Sequence, residues 1–218
     1  VEIDIDAIRH NLQEVRQWVG PDVKIMAVVK ADAYGCGAPV VSRALVEQGV
    51  EWLAVTTIDE GIELRKKGIE ARILVFSPLL SAQLRLAVDY ELTPTVNSEA
   101  TAWALAQAAR DRGKLIRAHL KLETGMGRNG LFPAEAISLM ERLADQPHLE
   151  IEGLYTHLAA ANSPRQADFK YTMAQYEGLQ QTAETLNQRG IRIPLRHVCN
   201  SAGLLAYPQL HLDMVRPG

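Results

Sequence analysis

Short apolar, β-rich runs alternate with longer segments of helical periodicity along nearly the whole chain, and that alternation is the sequence sign of βαβ units on a parallel sheet. Eight runs stand out: KIMAVVK (24–30), WLAVT (52–56), RILVFS (72–77), LTPTV (92–96), RAHLKLE (117–123), EIEGLYTHL (150–158), LRHVCN (195–200) and LDMVR (212–216). Their apolar content lacks strict alternation, which predicts strands covered on both faces. Helices are expected over 38–48, 58–67, 81–88, 98–112, 133–145 and 166–189, with a short one near 202–206. Ser98 reads as an N-cap, with Thr101 rather than Glu at the third position, and Gly113 closes that helix. Eight strands with seven connections in 218 residues predict a (β/α)8 TIM-type barrel of the α/β class. A doubly wound sheet is the alternative, but no GxGxxG fingerprint follows the first strand.

Two features exceed a self-contained barrel. Residues 1–18, VEIDIDAIRHNLQEVRQW, supply a strand-like start and a helix expected to pack outside the barrel strands. The chain also stops at VRPG, straight after the eighth strand, so the final helix is missing and the sequence reads as a piece of a longer protein. A net charge of −3 suggests neither a nucleic-acid nor a membrane-surface partner. Cys36 and Cys199 form no CxxC pair, which argues against a metal site or a disulfide framework and for a reducing, cytoplasmic setting. No basic start with an apolar follow-on marks a signal peptide, and no run is long enough to be a membrane span.

Barrels of this type carry their active sites at the C-terminal ends of the strands. Lys30 ends the first predicted strand, ETGMGRNG with Arg128 follows the fifth, and His157 ends the sixth. Asn200 and Ser201 end the seventh, while Arg216 and Gly218 end the eighth. Taken singly, a strand-end lysine or arginine is an ordinary solvated charge, and a lone histidine an ordinary buried one. Six polar residues meeting at one rim would be costly unless they met a polar ligand. A lysine desolvated at a barrel mouth has its neutral amine favoured, and such an amine condenses with aldehydes. Pyridoxal phosphate offers an aldehyde and a phosphate together.

The stretches AVVKADAYGCG, LKLETGMGRNG, IEGLYTHLAAAN, RHVCNSAG and LDMVRPG, in that order after VEIDIDAIRHNL, resemble the alanine racemase family. The resemblance implies a pyridoxal-phosphate-binding barrel domain over 1–218, with the family's C-terminal β domain absent from this chain. It implies that Lys30 holds the cofactor as an internal aldimine and is one of two acid/base groups at the α-carbon of alanine. Tyr34, Ser201 and Gly218 then match phosphate contacts, with Asn200 beside the serine. Arg216 matches the arginine facing the pyridine nitrogen, and His157 a residue bonded in the same network. Arg128 matches the arginine near the substrate carboxylate, and Lys121 a lysine that many members carbamylate to steady it. The second acid/base group is a tyrosine that the family takes from the C-terminal domain of the partner in a homodimer.

Cys36, Glu123, Asn162 and Cys199 depart from the family pattern and leave the amino acid open, serine included. Two other readings stand beside the racemase. One is a single-domain pyridoxal-phosphate carrier without catalysis. The other is a decarboxylase on a related barrel, which needs a carboxylate where this sequence has Arg216.

Overall fold

The computed structural model describes residues 2–218. Its strands are β1 Lys24–Val28, β2 Trp52–Val55, β3 Arg72–Val75, β4 Thr93–Val96, β5 Ile116–Lys121, β6 Leu149–Tyr155, β7 Leu195–His197 and β8 Met214–Val215. They pair in the order β7-β6-β5-β4-β3-β2-β1-β8, and every pairing is parallel. The seam between β7 and β8 is drawn together by short backbone links. The Asp213 N–H donates to the Arg196 carbonyl at 3.2 Å and the Arg216 N–H to the Cys199 carbonyl at 2.9 Å. The sheet is thereby a nearly closed TIM-type barrel, and closure removes the free strand edges that invite unwanted pairing.

The strands are buried on both faces for a reason visible in their composition. One face of β1–β3 and β8 sends Met26, Trp52, Ala54, Leu74 and Met214 into the barrel interior. The opposite face sends Leu53, Val55, Ile73 and Val75 outward into the apolar layer that Leu64, Leu105, Leu139 and Leu179 of the helix ring continue around the barrel. The ring consists of helices Ala38–Glu47, Ile58–Lys66, Ser81–Asp89, Glu99–Arg110, Pro133–Leu143 and Gln166–Gln188, with the short helix Ser201–Ala206 after β7. Their starts follow side-chain chemistry. Ser98 Oγ accepts the Thr101 N–H at 3.2 Å, and Thr57 with Glu60 forms a reciprocal capping box.

Of the strand-like start, the structure gives Ile5 to a helix. Asp4 is an N-cap whose carboxylate accepts the N–H groups of Asp6 and Ala7 at 2.9 and 3.1 Å, so helix Ile5–Val19 begins where strand alternation was read. Residues 2–4 pair with no strand among the described residues, and Val1 lies outside them. The helix packs on Ala38–Glu47, outside the barrel, through Leu12 and through Arg16, which donates to the Gln48 carbonyl. No described helix is long and apolar enough to cross a membrane.

Candidate active site

All the predicted strands but the fourth overrun the observed ones at their C-terminal ends, and the rim is built from those surplus residues and the turns that follow them. After β1, Val29 still donates its N–H to the Ala54 carbonyl at 2.8 Å. The backbone then turns left-handed for four residues, Ala31 to Tyr34, at φ between 51 and 55°. Left-handed helical conformation costs an L-residue roughly 1–2 kcal/mol, and none of the four is glycine. Hydrogen bonds offset the cost. The Ala31 N–H donates to Glu60 Oε1 at 2.6 Å, Ala33 to the Val29 carbonyl at 2.9 Å, and Ala38 to Asp32 Oδ1 at 2.6 Å. Glu60 Oε2 also accepts from Thr56 and Thr57, at 2.8 and 2.9 Å. One carboxylate therefore ties the end of β2, the start of helix Ile58–Lys66 and the turn behind Lys30. The sequence reading had missed Glu60, although the Thr-x-x-Glu spacing of a capping box was there to find it.

The turn folds Tyr34 back over the rim, with Lys30 Nζ 5.9 Å from its ring centroid. Partial burial raises the Tyr34 phenol above its ordinary pKa. Beside it, the Gly218 N–H donates to Ser201 Oγ at 3.0 Å. A Cβ on Gly218 would stand 2.6 Å from the Tyr34 hydroxyl and 2.8 Å from Val28 Cβ, so only glycine leaves this corner open. Asn200 caps helix Ser201–Ala206 by accepting the Gly203 N–H at 2.9 Å, which fixes the serine at the helix start.

Arg216 is buried beneath the rim. It donates to His197 Nδ1 at 2.7 Å and to the carbonyls of Thr156 and Val198, each at 2.9 Å. Burial draws its pKa down to about 10, which leaves it charged at neutral pH. The resemblance placed His157 in this bonded network, whereas the imidazole on the guanidinium is that of His197. His157 lines the same cavity, and burial, reinforced by Arg216, Arg128, Lys121 and Lys30, pushes its pKa down to about 3. The loop after β5 is gathered by Glu123, whose carboxylate accepts the N–H groups of Gly125 and Arg128 at 2.6 and 3.1 Å. Burial raises the Glu123 pKa, but backbone donors from Gly127, Gly125 and Arg128 outweigh it and hold the group below its usual range. Lys121 donates to Asn129, and burial with neighbouring Arg128 lowers its pKa to about 8.

All nine residues singled out in the sequence line one cavity of about 530 Å³: Lys30, Tyr34, Lys121, Arg128, His157, Asn200, Ser201, Arg216 and Gly218. Four of them are cations, and no aspartate or glutamate joins the lining. Tyr155 and Asn129 also line it and were not foreseen. The Tyr155 hydroxyl meets Thr95 Oγ1 at 2.8 Å, and its ring stacks on His197 with centroids 4.8 Å apart. Such a lining suits a ligand with more than one negative charge and an amine-reactive carbon near Lys30.

A family model described as alanine racemase, N-terminal domain, matches residues 3–218. The chain belongs to the alanine racemase family. The alanine racemase of Halothermothrix orenii is 41% identical over 217 residues, covering 100% of this chain and 56% of that protein. That of Methanococcus maripaludis is 38% identical over 218 residues, covering 100% and 58%. Among solved structures, Clostridium difficile 630 alanine racemase in complex with cycloserine superposes with a TM-score of 0.93 at 33% identity, covering 99% of this chain and 59% of that one. The Bacillus anthracis alanine racemase with bound L-Ala-P gives 0.90 at 31%, covering 99% and 55%. The chain thus spans little more than half the length of the alanine racemases it matches.

Proposed function

We propose that this chain is the cofactor-binding half of a pyridoxal-phosphate-dependent alanine racemase working in the cytoplasm as a homodimer. The observation that carries the reading is the cavity itself, in which an amine, three further cations and a glycine-walled corner converge with no acid among them. Ser201 Oγ, the Gly218 backbone and the Tyr34 hydroxyl would hold the phosphate, with Asn200 fixing the serine. Lys30 would carry the cofactor, which supplies an amine-reactive aldehyde and a ring that draws electrons from the substrate α-carbon. Arg128 would bind the substrate carboxylate.

Racemisation needs a proton taken from one face of the α-carbon and returned on the other, so two groups are the minimum. The Lys30 amine serves one face. The opposite group is assigned to the further length that the full-length relatives possess, across the dimer interface. Arg216, charged and held by three hydrogen bonds, would disfavour a proton on a ring nitrogen of the cofactor placed against it. Such a cofactor would be a weak electron sink, which suits return of the proton to the α-carbon over other outcomes. A decarboxylase would want an acid at that place, and the lining has none.

The test is direct. Full-length protein loaded with pyridoxal phosphate and given L-alanine should form D-alanine until the two enantiomers are equal, as read by chiral chromatography. Cofactor uptake with no D-alanine would favour the carrier, and preference for serine would move the substrate.

Lys121 carries a further expectation. Carbamylation joins the neutral amine to carbon dioxide and releases a proton, so it follows the deprotonated fraction, which grows as pH rises through the value of about 8. With ¹³C-bicarbonate, a carbamate resonance should strengthen across that interval and be missing in Lys121→Ala. An unchanged spectrum in the variant would assign the signal elsewhere.

A further inference from the structure

The barrel interior holds a line of buried polar groups below the cofactor cavity. His119 on β5 and Glu152 on β6 are 0% and 5% exposed. A register irregularity brings them in: Ala118 lies opposite Ile151, then His119 opposite Gly153, so Glu152 is skipped. Bulges of this kind re-aim a side chain. Gly153 makes the room, since a Cβ there would sit 2.5 Å from His119 Cγ and Nδ1. His119 Nδ1 lies 2.9 Å from His197 Nε2, whose ring accepts from Arg216 through Nδ1. At the far end, His119 Nε2 and Glu152 Oε1 are 3.8 Å apart, too far for a hydrogen bond, and neither atom has a hydrogen-bond partner. Glu152 Oε2 accepts from Arg72, whose guanidinium lies 4.4 Å over the Trp52 ring.

The protons on this line have one self-consistent placement. A guanidinium only donates, so His197 Nδ1 accepts and the neutral ring carries its proton on Nε2. That proton points at His119 Nδ1, which must accept, so the His119 proton sits on Nε2 and faces Glu152. Glu152 Oε1 is the polar atom that this N–H faces, at 3.8 Å. Burial, with Arg72 and Arg216 nearby, pushes His119 down to about 3 and His197 well below its ordinary value. Both rings stay neutral, as the ordering requires. The opposite tautomer of His197 would set N–H against N–H where water cannot enter.

We propose that His119 and Glu152 are positioning residues for Arg216: they hold His197 in the tautomer that leaves Nδ1 free for the guanidinium, and so keep the arginine aimed into the cavity. The catalytic consequence rests on the function proposed above, while the tautomers do not. Full-length protein labelled with ¹⁵N-histidine should show both rings as neutral Nε2–H tautomers. His119→Leu removes the acceptor and should give a mixture of His197 tautomers. It should also lower kcat about tenfold, the effect of about 1.4 kcal/mol, with KM for the amino acid nearly unchanged. His119→Asn, whose Oδ1 can stand near the place of Nδ1 and accept, should restore the single tautomer and most of kcat, and it separates a folding defect from a positioning one. A wild-type His197 protonated on Nδ1 would overturn the proposal. So would a folded His119→Leu with the wild-type His197 tautomer and kcat. Because the spectra need no pyridoxal phosphate, failure to take up cofactor would refute the proposed function alone.

Discussion

On the proposed function, Lys30→Ala should lower racemisation by the full-length protein by at least about 10³-fold, because one substitution would remove both the amine proposed to anchor the cofactor and the base proposed for one face of the α-carbon. The loss should come with little change in fold. Lys30 is half-buried, and its neighbours are a tyrosine ring and a solvent-facing rim. The backbone around it is held by Glu60 and Asp32, whose bonds to Ala31 and Ala38 do not involve the lysine side chain. Thermal unfolding should therefore move by no more than a surface change of about 0.5 kcal/mol. Borohydride reduction of the loaded wild type should place a pyridoxyl group on Lys30 in peptide mass spectra and none elsewhere in the chain, and the variant should take no label. A variant that keeps racemisation within tenfold of wild type would remove Lys30 from both roles.

Arg216→Glu should change what the enzyme makes as well as how fast. The guanidinium donates to one imidazole and two backbone carbonyls, all buried. A carboxylate can donate to none of them, and each buried acceptor left unpaired costs about 1–3 kcal/mol. A lower unfolding midpoint is the first expected result. The second concerns the ring nitrogen of the cofactor, which an acid would encourage to take a proton. The cofactor would then be a stronger electron sink, and return of the proton to the α-carbon would be less favoured against formation of 2-oxo acid. Racemisation should fall by about 10²-fold or more, as expected for losing a preorganised charge at the reacting centre. The yield of 2-oxo acid per D-alanine formed should rise. Arg216→Lys keeps the charge without the fork and should lose rate with no gain in 2-oxo acid. An unchanged product ratio in Arg216→Glu would show that the arginine does not govern the partition.

The sequence was most legible where one residue's environment is set by its neighbours in the chain. Apolar runs gave the strands, and Ser98 and Pro133 marked helix starts that the structure keeps. Strand ends were less legible, because a parallel ladder and a rim loop use similar residues. LRHVCN reads as one strand, yet β7 stops at His197, and Asn200 turns out to be a helix cap. That the nine singled-out residues share one cavity was readable because the strand ends and the resemblance pointed to the same rim. The left-handed turn was not readable, since Ala-Asp-Ala-Tyr carries no glycine and its stabilising bond comes from Glu60, 29 positions away. Nor was the pairing of His119 with His197, which depends on the skipped residue in the β5–β6 ladder.

That left-handed turn also sets a limit on improving the protein. Four successive L-residues at positive φ mean that the chain sits below its attainable stability at the point where the functional amine leaves the barrel. A search for thermostable variants would be drawn to glycine at position 31 or 33, where the steric cost would vanish. The same change would loosen the stretch that aims Lys30 and Tyr34 together, so on the proposed function heat resistance gained there would be exchanged for catalytic fidelity.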